Sequence, residues 1–92
     1  MYFMVTVLLL LHLSHVINIR NEILIKAFGE RVRELRKEKG YTMEDFAGLA
    51  GIDYRQLSNI ERGKVNTTIS SIQVIAKALN VSMSELIQME GY

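Results

Sequence analysis

Residues 42–63, TMEDFAGLAGIDYRQLSNIERG, have the pattern of two short amphipathic helices joined by a glycine turn. Thr42 is followed three residues later by Asp45, a spacing typical of a helix N-terminal capping box. The first helix is therefore expected to begin near Met43. Three apolar positions of this helix share one face and are predicted to point into the core: Phe46, Leu49 and Ala50.

The second helix of this stretch begins after the turn. Gly51 is the residue able to take a positive φ, and Asp53 is a candidate N-cap. Leu57 and Ile60 then form the apolar stripe, and Gly63 ends the helix. Two helices of this length around a glycine turn are the outline of a helix-turn-helix.

The outer face of the second helix is polar once Leu57 and Ile60 are buried. Its side chains are Tyr54, Arg55, Gln56, Ser58, Asn59 and Arg62. Arginine and asparagine can pair bidentately with guanine and adenine edges in the major groove, which is wide enough to admit an α-helix. We interpret this helix as a DNA recognition helix; the alternative is a polar surface helix without a ligand.

Segments on both sides of the motif resemble the Cro and phage-repressor type of helix-turn-helix domain, the Xre-like family. They are VRELRKEKG at 32–40, the Ala47 and Gly51 framework, SNIERGK at 58–64 and IAKALNVS at 75–82. The resemblance covers residues 28–87 and places the motif at about 43–62. It implies an all-α, five-helix, phage-repressor-like DNA-binding domain.

The resemblance also implies roles for individual residues. Base-reading positions fall on Tyr54, Arg55 and Asn59. Contacts to the DNA backbone, or secondary contacts, are assigned to Thr42, Gln56, Ser58, Arg62, Lys64 and Asn66. Two positions depart from the family pattern: Met43 stands where a phosphate-binding Gln is common, and Thr67 stands where Pro usually follows the recognition loop.

The helix before the motif mixes charges of both signs around the apolar positions Phe28, Val32 and Leu35. Arg36 and Glu61 occupy the positions at which the family that this chain resembles often forms an internal ion pair between the first and third helices. We therefore expect this pair to have a structural role, and most other charges of the helix to be solvated.

The segment after the motif is predicted to complete the core. Thr68 or Ser70 can cap a fourth helix, and Asn80 interrupts the pattern before Ser82 caps a fifth. The expected buried side chains are Ile69, Ile72, Ile75, Ala76, Leu79, Leu86 and Ile87. Residues 88–92 are a C-terminal tail.

Composition limits the function classes. Eleven basic and ten acidic residues among 92 give a net charge of +1, so any DNA-binding field must come from the arrangement of charges. With no cysteine, disulfides and thiolate zinc sites are excluded. The chain contains no glycine-rich phosphate loop and no Ser, His and acid arrangement, so we expect no enzyme activity, no cofactor and no metal.

Residues 1–27 form an apolar extension, and residues 1–19 carry no formal charge. Three interpretations stay open: an arm or strand, over residues 2–8, that packs on a second subunit; a non-native start; or association with a membrane, the least favoured of the three. A signal peptide is not expected, because neither a basic n-region nor a cleavage site is present. His12 and His15 have the spacing to share a metal but lack a third ligand.

These observations predict a cytoplasmic transcriptional regulator, a repressor that binds a palindromic operator as a homodimer and is associated with the nucleoid when bound. Two half-sites would then lie one turn of duplex, about 34 Å, apart. The alternatives are an antitoxin with a toxin partner, a controller of a restriction-modification system, and a protein-interaction module whose helix-turn-helix no longer binds DNA.

Overall fold

The computed structural model describes the backbone of residues 2–89 and the side chains of residues 4–9 and 21–89. These residues form five helices and no strand. The helices are α1 (Tyr2–Glu38), α2 (Met43–Ala50), α3 (Tyr54–Glu61), α4 (Ile69–Leu79) and α5 (Met83–Leu86). The predicted all-α class is confirmed, and the first helix of the motif begins at Met43 as expected.

Helix α1 runs without interruption from the apolar extension into the domain. Its 37 residues span roughly 55 Å. The strand proposed for residues 2–8 is therefore wrong, because a helix pairs its backbone groups within the segment, whereas a lone strand leaves them without partners. The boundary between residues 27 and 28 stays a prediction, and His12 and His15 lie outside the described side chains.

Within the described residues, we find no helix with the length and hydropathy needed to cross a bilayer.

The core forms where α1, α2 and α5 pack around α3 and α4. Its fully buried large side chains are Val32, Phe46, Leu57, Ile75, Leu79 and Leu86. The predicted apolar stripes of the first, third and fourth helices are buried over most of their length. Helices as short as α2 and α3 gain most of their stability from this burial, because isolated helices of eight residues are marginal in water.

Three residues expected in the core are exposed instead. Leu49 is 56% exposed, because α2 turns Phe46, Ala47 and Ala50 toward its neighbours and leaves Leu49 at the edge of that face. Ile69 is 76% exposed, since it is the first residue of α4 and lies beyond the packed turns. Ile87 is 47% exposed, because it follows the last turn of α5.

Hydroxyl caps begin three of the helices. The Oγ1 of Thr42 accepts a hydrogen bond from the backbone N–H of Asp45 at 3.1 Å. Thr68, and not Ser70, caps α4, and Ser82 caps α5 in the same way. Asp53 occupies the N-cap position of α3 as predicted, although its side chain makes no capping hydrogen bond. The carbonyl of Asp53 accepts the N–H of Leu57 at 3.0 Å, and α3 as a whole packs against α1 and α2.

Candidate nucleic-acid interface

The orientation of α3 depends on a buried ion pair with α1. The Nε of Arg36 donates to Oε2 of Glu61 at 2.8 Å, and Nη2 donates to Oε1 at 3.0 Å. The third nitrogen, Nη1, donates to the carbonyl of Tyr41 at 2.8 Å. Arg36 and Glu61 are each less than a tenth exposed. This fork therefore ties α1, the turn before α2 and the end of α3 into one unit, as charge-assisted bidentate pairs can.

A glycine allows α1 to approach the end of α3. Gly29 is buried, and a Cβ at this position would meet the carbonyl oxygens of Ile60 and Glu61, the latter at 2.8 Å. Only a residue without a side chain fits between the two backbones. Gly29 is not among the residues predicted from the sequence to matter for the site. The signal that marks it is a glycine inside an otherwise regular helical pattern, where it costs about 1 kcal/mol of helix stability relative to Ala.

The turn between α2 and α3 sets the angle of the motif. Gly51 has φ 71°, and its N–H bonds back to the last turn of α2. The N–H of Ile52 donates to the carbonyl of Ala47 at 3.0 Å, and the Ile52 side chain packs against the core. Glycine adopts this left-handed backbone conformation without strain, and the chain turns there directly into α3.

The three expected base readers lie on the outer side of α3. Tyr54 is 52% exposed, Arg55 is exposed and Asn59 is half-buried. Within the part of the chain that the structure describes, none of their side chains makes a hydrogen bond or an ion pair with another residue. Their donors and acceptors therefore remain available to a ligand. Tyr54 also borders a shallow cleft with Thr42 and Met43 at the start of α2.

The remaining expected contacts surround this face. Gln56, Arg62, Lys64 and Asn66 are exposed, and Ser58 is half-buried beside the readers. Thr42 is exposed at the start of α2; its oxygen accepts the capping bond, so its hydroxyl proton can still be donated to a phosphate.

Charge is nearly balanced around this surface. The cations Arg55, Arg62 and Lys64 are exposed on α3 and on the loop after it. Exposed carboxylates stand at the starts of α2 and α3: Glu44, Asp45 and Asp53. A surface of this kind has a weak overall field, so tight binding to a duplex must depend on placed hydrogen bonds more than on bulk charge.

Comparison with known proteins relates this fold to a defined family. The family described as HTH_3: Helix-turn-helix matches residues 32–86. The transcriptional regulator DdrOP3 from Deinococcus deserti is 37% identical over 59 residues, which cover 64% of this chain and 46% of the relative. The chain thus matches about half the length of that regulator.

Two solved structures share the fold. The restriction-modification controller protein C.AhdI from Aeromonas hydrophila is 41% identical with a TM-score of 0.64, over 68% of this chain and 94% of that one. The biofilm regulator SinR, solved in complex with DNA, is 35% identical with a TM-score of 0.63, over 66% of this chain and 98% of that one. The same regulator is found in Bacillus subtilis. The apolar extension lies outside the residues that the family matches.

Proposed function

Because the chain belongs to the HTH_3 helix-turn-helix family, we propose that it is a sequence-specific double-stranded DNA-binding regulator of transcription, acting as a repressor. The proposal depends on one observation: the polar side chains on the outer face of α3 are exposed or half-buried and make no hydrogen bond with another described residue, whereas its apolar stripe is buried. These side chains are Tyr54, Arg55, Gln56, Ser58 and Asn59. Its relatives are described as transcriptional regulators, and one of them was solved on DNA. The role is binding in the cytoplasm, on nucleoid DNA, without catalysis.

In this proposal α3 lies in the major groove. Arg55 reads a guanine and Asn59 reads an adenine, the pairings that their hydrogen-bonding groups fit. Tyr54 contacts a sugar or a thymine methyl group with its ring, or a base edge with its hydroxyl. Arg62, Lys64 and Asn66 contact phosphates and set the register of the helix on the duplex.

A homodimer on a palindromic operator suits a module of this size. One eight-residue recognition helix reads few base pairs, whereas two helices about 34 Å apart read a pair of half-sites and raise specificity. Exposed apolar side chains on α1 supply surface for such an assembly: Met4, Val5, Leu8, Leu9 and Ile23.

Selection of bound duplexes from a random pool tests the function directly. The full chain is expected to enrich a sequence with two inverted half-sites whose centres are about 10 base pairs apart. Enrichment of a single half-site would remove the dimer from the proposal. A failure to enrich any sequence would contradict the regulator function and favour a protein-interaction module.

A second candidate is a restriction-modification controller. The observation that favours it is the match to C.AhdI over nearly the whole of that protein. A methyltransferase gene beside this one, with the selected operator in its promoter, would support this role. A toxin gene in the same place would instead support the antitoxin alternative.

A further inference from the structure

We infer that Lys26, which precedes the residues matched by the family, binds a DNA phosphate together with Lys64. This inference rests on the proposed DNA-binding function and enlarges its contact surface. The supporting observation is a close contact between α1 and the loop after α3. A Cβ on Gly63 would lie 2.8 Å from both Cα and Cγ of Lys26.

The face of α1 that carries Lys26 is the face that holds α3. Gly29, three residues later, lies against the carbonyls of Ile60 and Glu61. Residues three apart on a helix are neighbours on one side, so Lys26 stands one turn further along, beside the loop that begins at Arg62. Its stem packs on the Gly63 backbone while the residue as a whole remains exposed, the arrangement in which a lysine extends its ammonium into solvent.

This contact brings Lys26 beside the two cations that flank Gly63. One cleft is bordered by Lys26, Gly63 and Lys64. Arg62, the residue before Gly63, is exposed. Within the described side chains, no carboxylate forms an ion pair with Lys26 or Lys64. Like charges gathered in this way repel one another, and an anion placed between them relieves that repulsion.

One carboxylate borders the same cleft. Glu22 lies one turn before Lys26 on α1 and lowers the local positive charge without cancelling it. The DNA phosphate is the anion that this position fits, because the loop residues Arg62, Lys64 and Asn66 are the proposed backbone contacts. Lys26 thus extends the row of phosphate contacts from the loop onto α1.

A different role for Lys26 is purely structural. The stem of Lys26 lies against Gly63, just after the C-terminal end of α3, where a positive charge stabilises the partial negative charge of the helix. That role would change the stability of the fold but not the number of phosphates bound. Salt dependence of DNA binding separates the two roles, since each phosphate contact adds about 0.9 to the slope of log affinity against log salt.

The test compares Lys26→Ala with Lys77→Ala in the full chain, using fluorescence anisotropy on the selected operator and on random duplex across a salt series. Lys77 carries the same charge on α4 and borders a separate cleft with Asn80 and Ser82. Lys26→Ala is expected to weaken binding to both duplexes about fivefold to tenfold near 0.1 M salt. It should also reduce the slope of log affinity against log salt by about one. Lys26→Arg should retain binding, and Glu22→Gln should strengthen it.

Two outcomes would overturn the inference and leave the regulator function intact. In one, Lys64→Ala weakens binding while Lys26→Ala behaves like Lys77→Ala. In the other, Lys26→Ala lowers the midpoint of urea unfolding but leaves the salt slope of the wild type. If the wild-type chain binds no duplex at all, the proposed function and the inference both fail.

Discussion

Gly29 of α1 lies so close to the carbonyl of Glu61 that a Cβ at Gly29 would be 2.8 Å from the oxygen. The contact is between two backbones, so neither side can rotate away. It brings the start of the domain against the end of the proposed recognition helix, and the ion pair between Arg36 and Glu61 fixes the same helix end from the next turns of α1. These two contacts on the buried side of α3 therefore set the orientation of its exposed face.

Gly29→Ala is expected to lower the free energy of unfolding by about 1–3 kcal/mol, because the added methyl forces the two backbones apart. The loss should appear although Ala favours a helix over Gly by about 1 kcal/mol. Gly48→Ala is the matched control, since Gly48 lies in α2 with open space around it and should gain up to about 1 kcal/mol. Urea denaturation measures both, and equal gains at the two sites would show that the contact carries no constraint.

Glu61→Gln should destabilise the fold by about 3–5 kcal/mol, because it leaves the charge of Arg36 buried without a counter-charge. The double substitution Arg36→Met with Glu61→Leu should recover most of that loss, since it removes both charges. Glu34→Ala removes the exposed partner of the half-buried Arg31, at an N–O distance of 3.8 Å, and should cost less than about 1 kcal/mol. If the unfolding free energies of Glu61→Gln and Glu34→Ala are alike, the pair does not act as a buried one.

Arg55→Ala and Asn59→Ala should each weaken binding to the selected operator by about 1–3 kcal/mol while binding to random duplex stays nearly constant. Both variants should keep the fold, because neither side chain has a partner within the described residues. Anisotropy titrations on the two duplexes, with circular dichroism as a check of folding, measure the difference.

Lys64→Ala supplies the contrast for these readers. Loss of a phosphate contact should weaken binding to the operator and to random duplex by the same factor. It should also reduce the slope of log affinity against log salt by about one. If all three variants lose the same affinity on both duplexes, Arg55 and Asn59 contact the backbone and the assignment of readers is wrong.

Ile75→Ala and Ile69→Ala test which part of α4 is core. Ile75 is fully buried, so its truncation should cost about 2–5 kcal/mol through lost burial and the cavity that remains. Ile69, on the same helix but 76% exposed, should change stability by less than about 0.5 kcal/mol. Thermal unfolding checks both, and a large loss at Ile69 would mean that a second chain covers this residue.

Much of the fold could be predicted because its signals are local. Thr42 and Ser82 begin helices by bonding to an N–H three residues away, and Gly51 ends one by taking a positive φ. Such bonds form within one turn of chain, so a short stretch of residues suffices to recognise them. The buried stripe of Leu57 and Ile60 follows from helical spacing in the same way.

The predictions from the sequence were wrong where burial or strand pairing depends on residues far away along the chain. Periodicity placed Leu49 in the core, but the packing of α2 favours Ala47 on that side. Apolar residues at the start of α4 and after α5 matched the pattern of burial, although no neighbouring element covers them within the described residues. A strand over residues 2–8 was one of the interpretations left open, but this segment belongs to α1, and no second strand is described there to pair with it.

The sequence by itself determined the helix-turn-helix, its caps and the polar composition of α3, because each depends on contacts within a few residues. Only the tertiary structure decided that α1 continues through the domain boundary, that Gly29 admits the end of α3 and that Lys26 lies beside Gly63. The two glycine contacts join residues more than 30 positions apart, and they exist only once burial of the core brings the helices into contact.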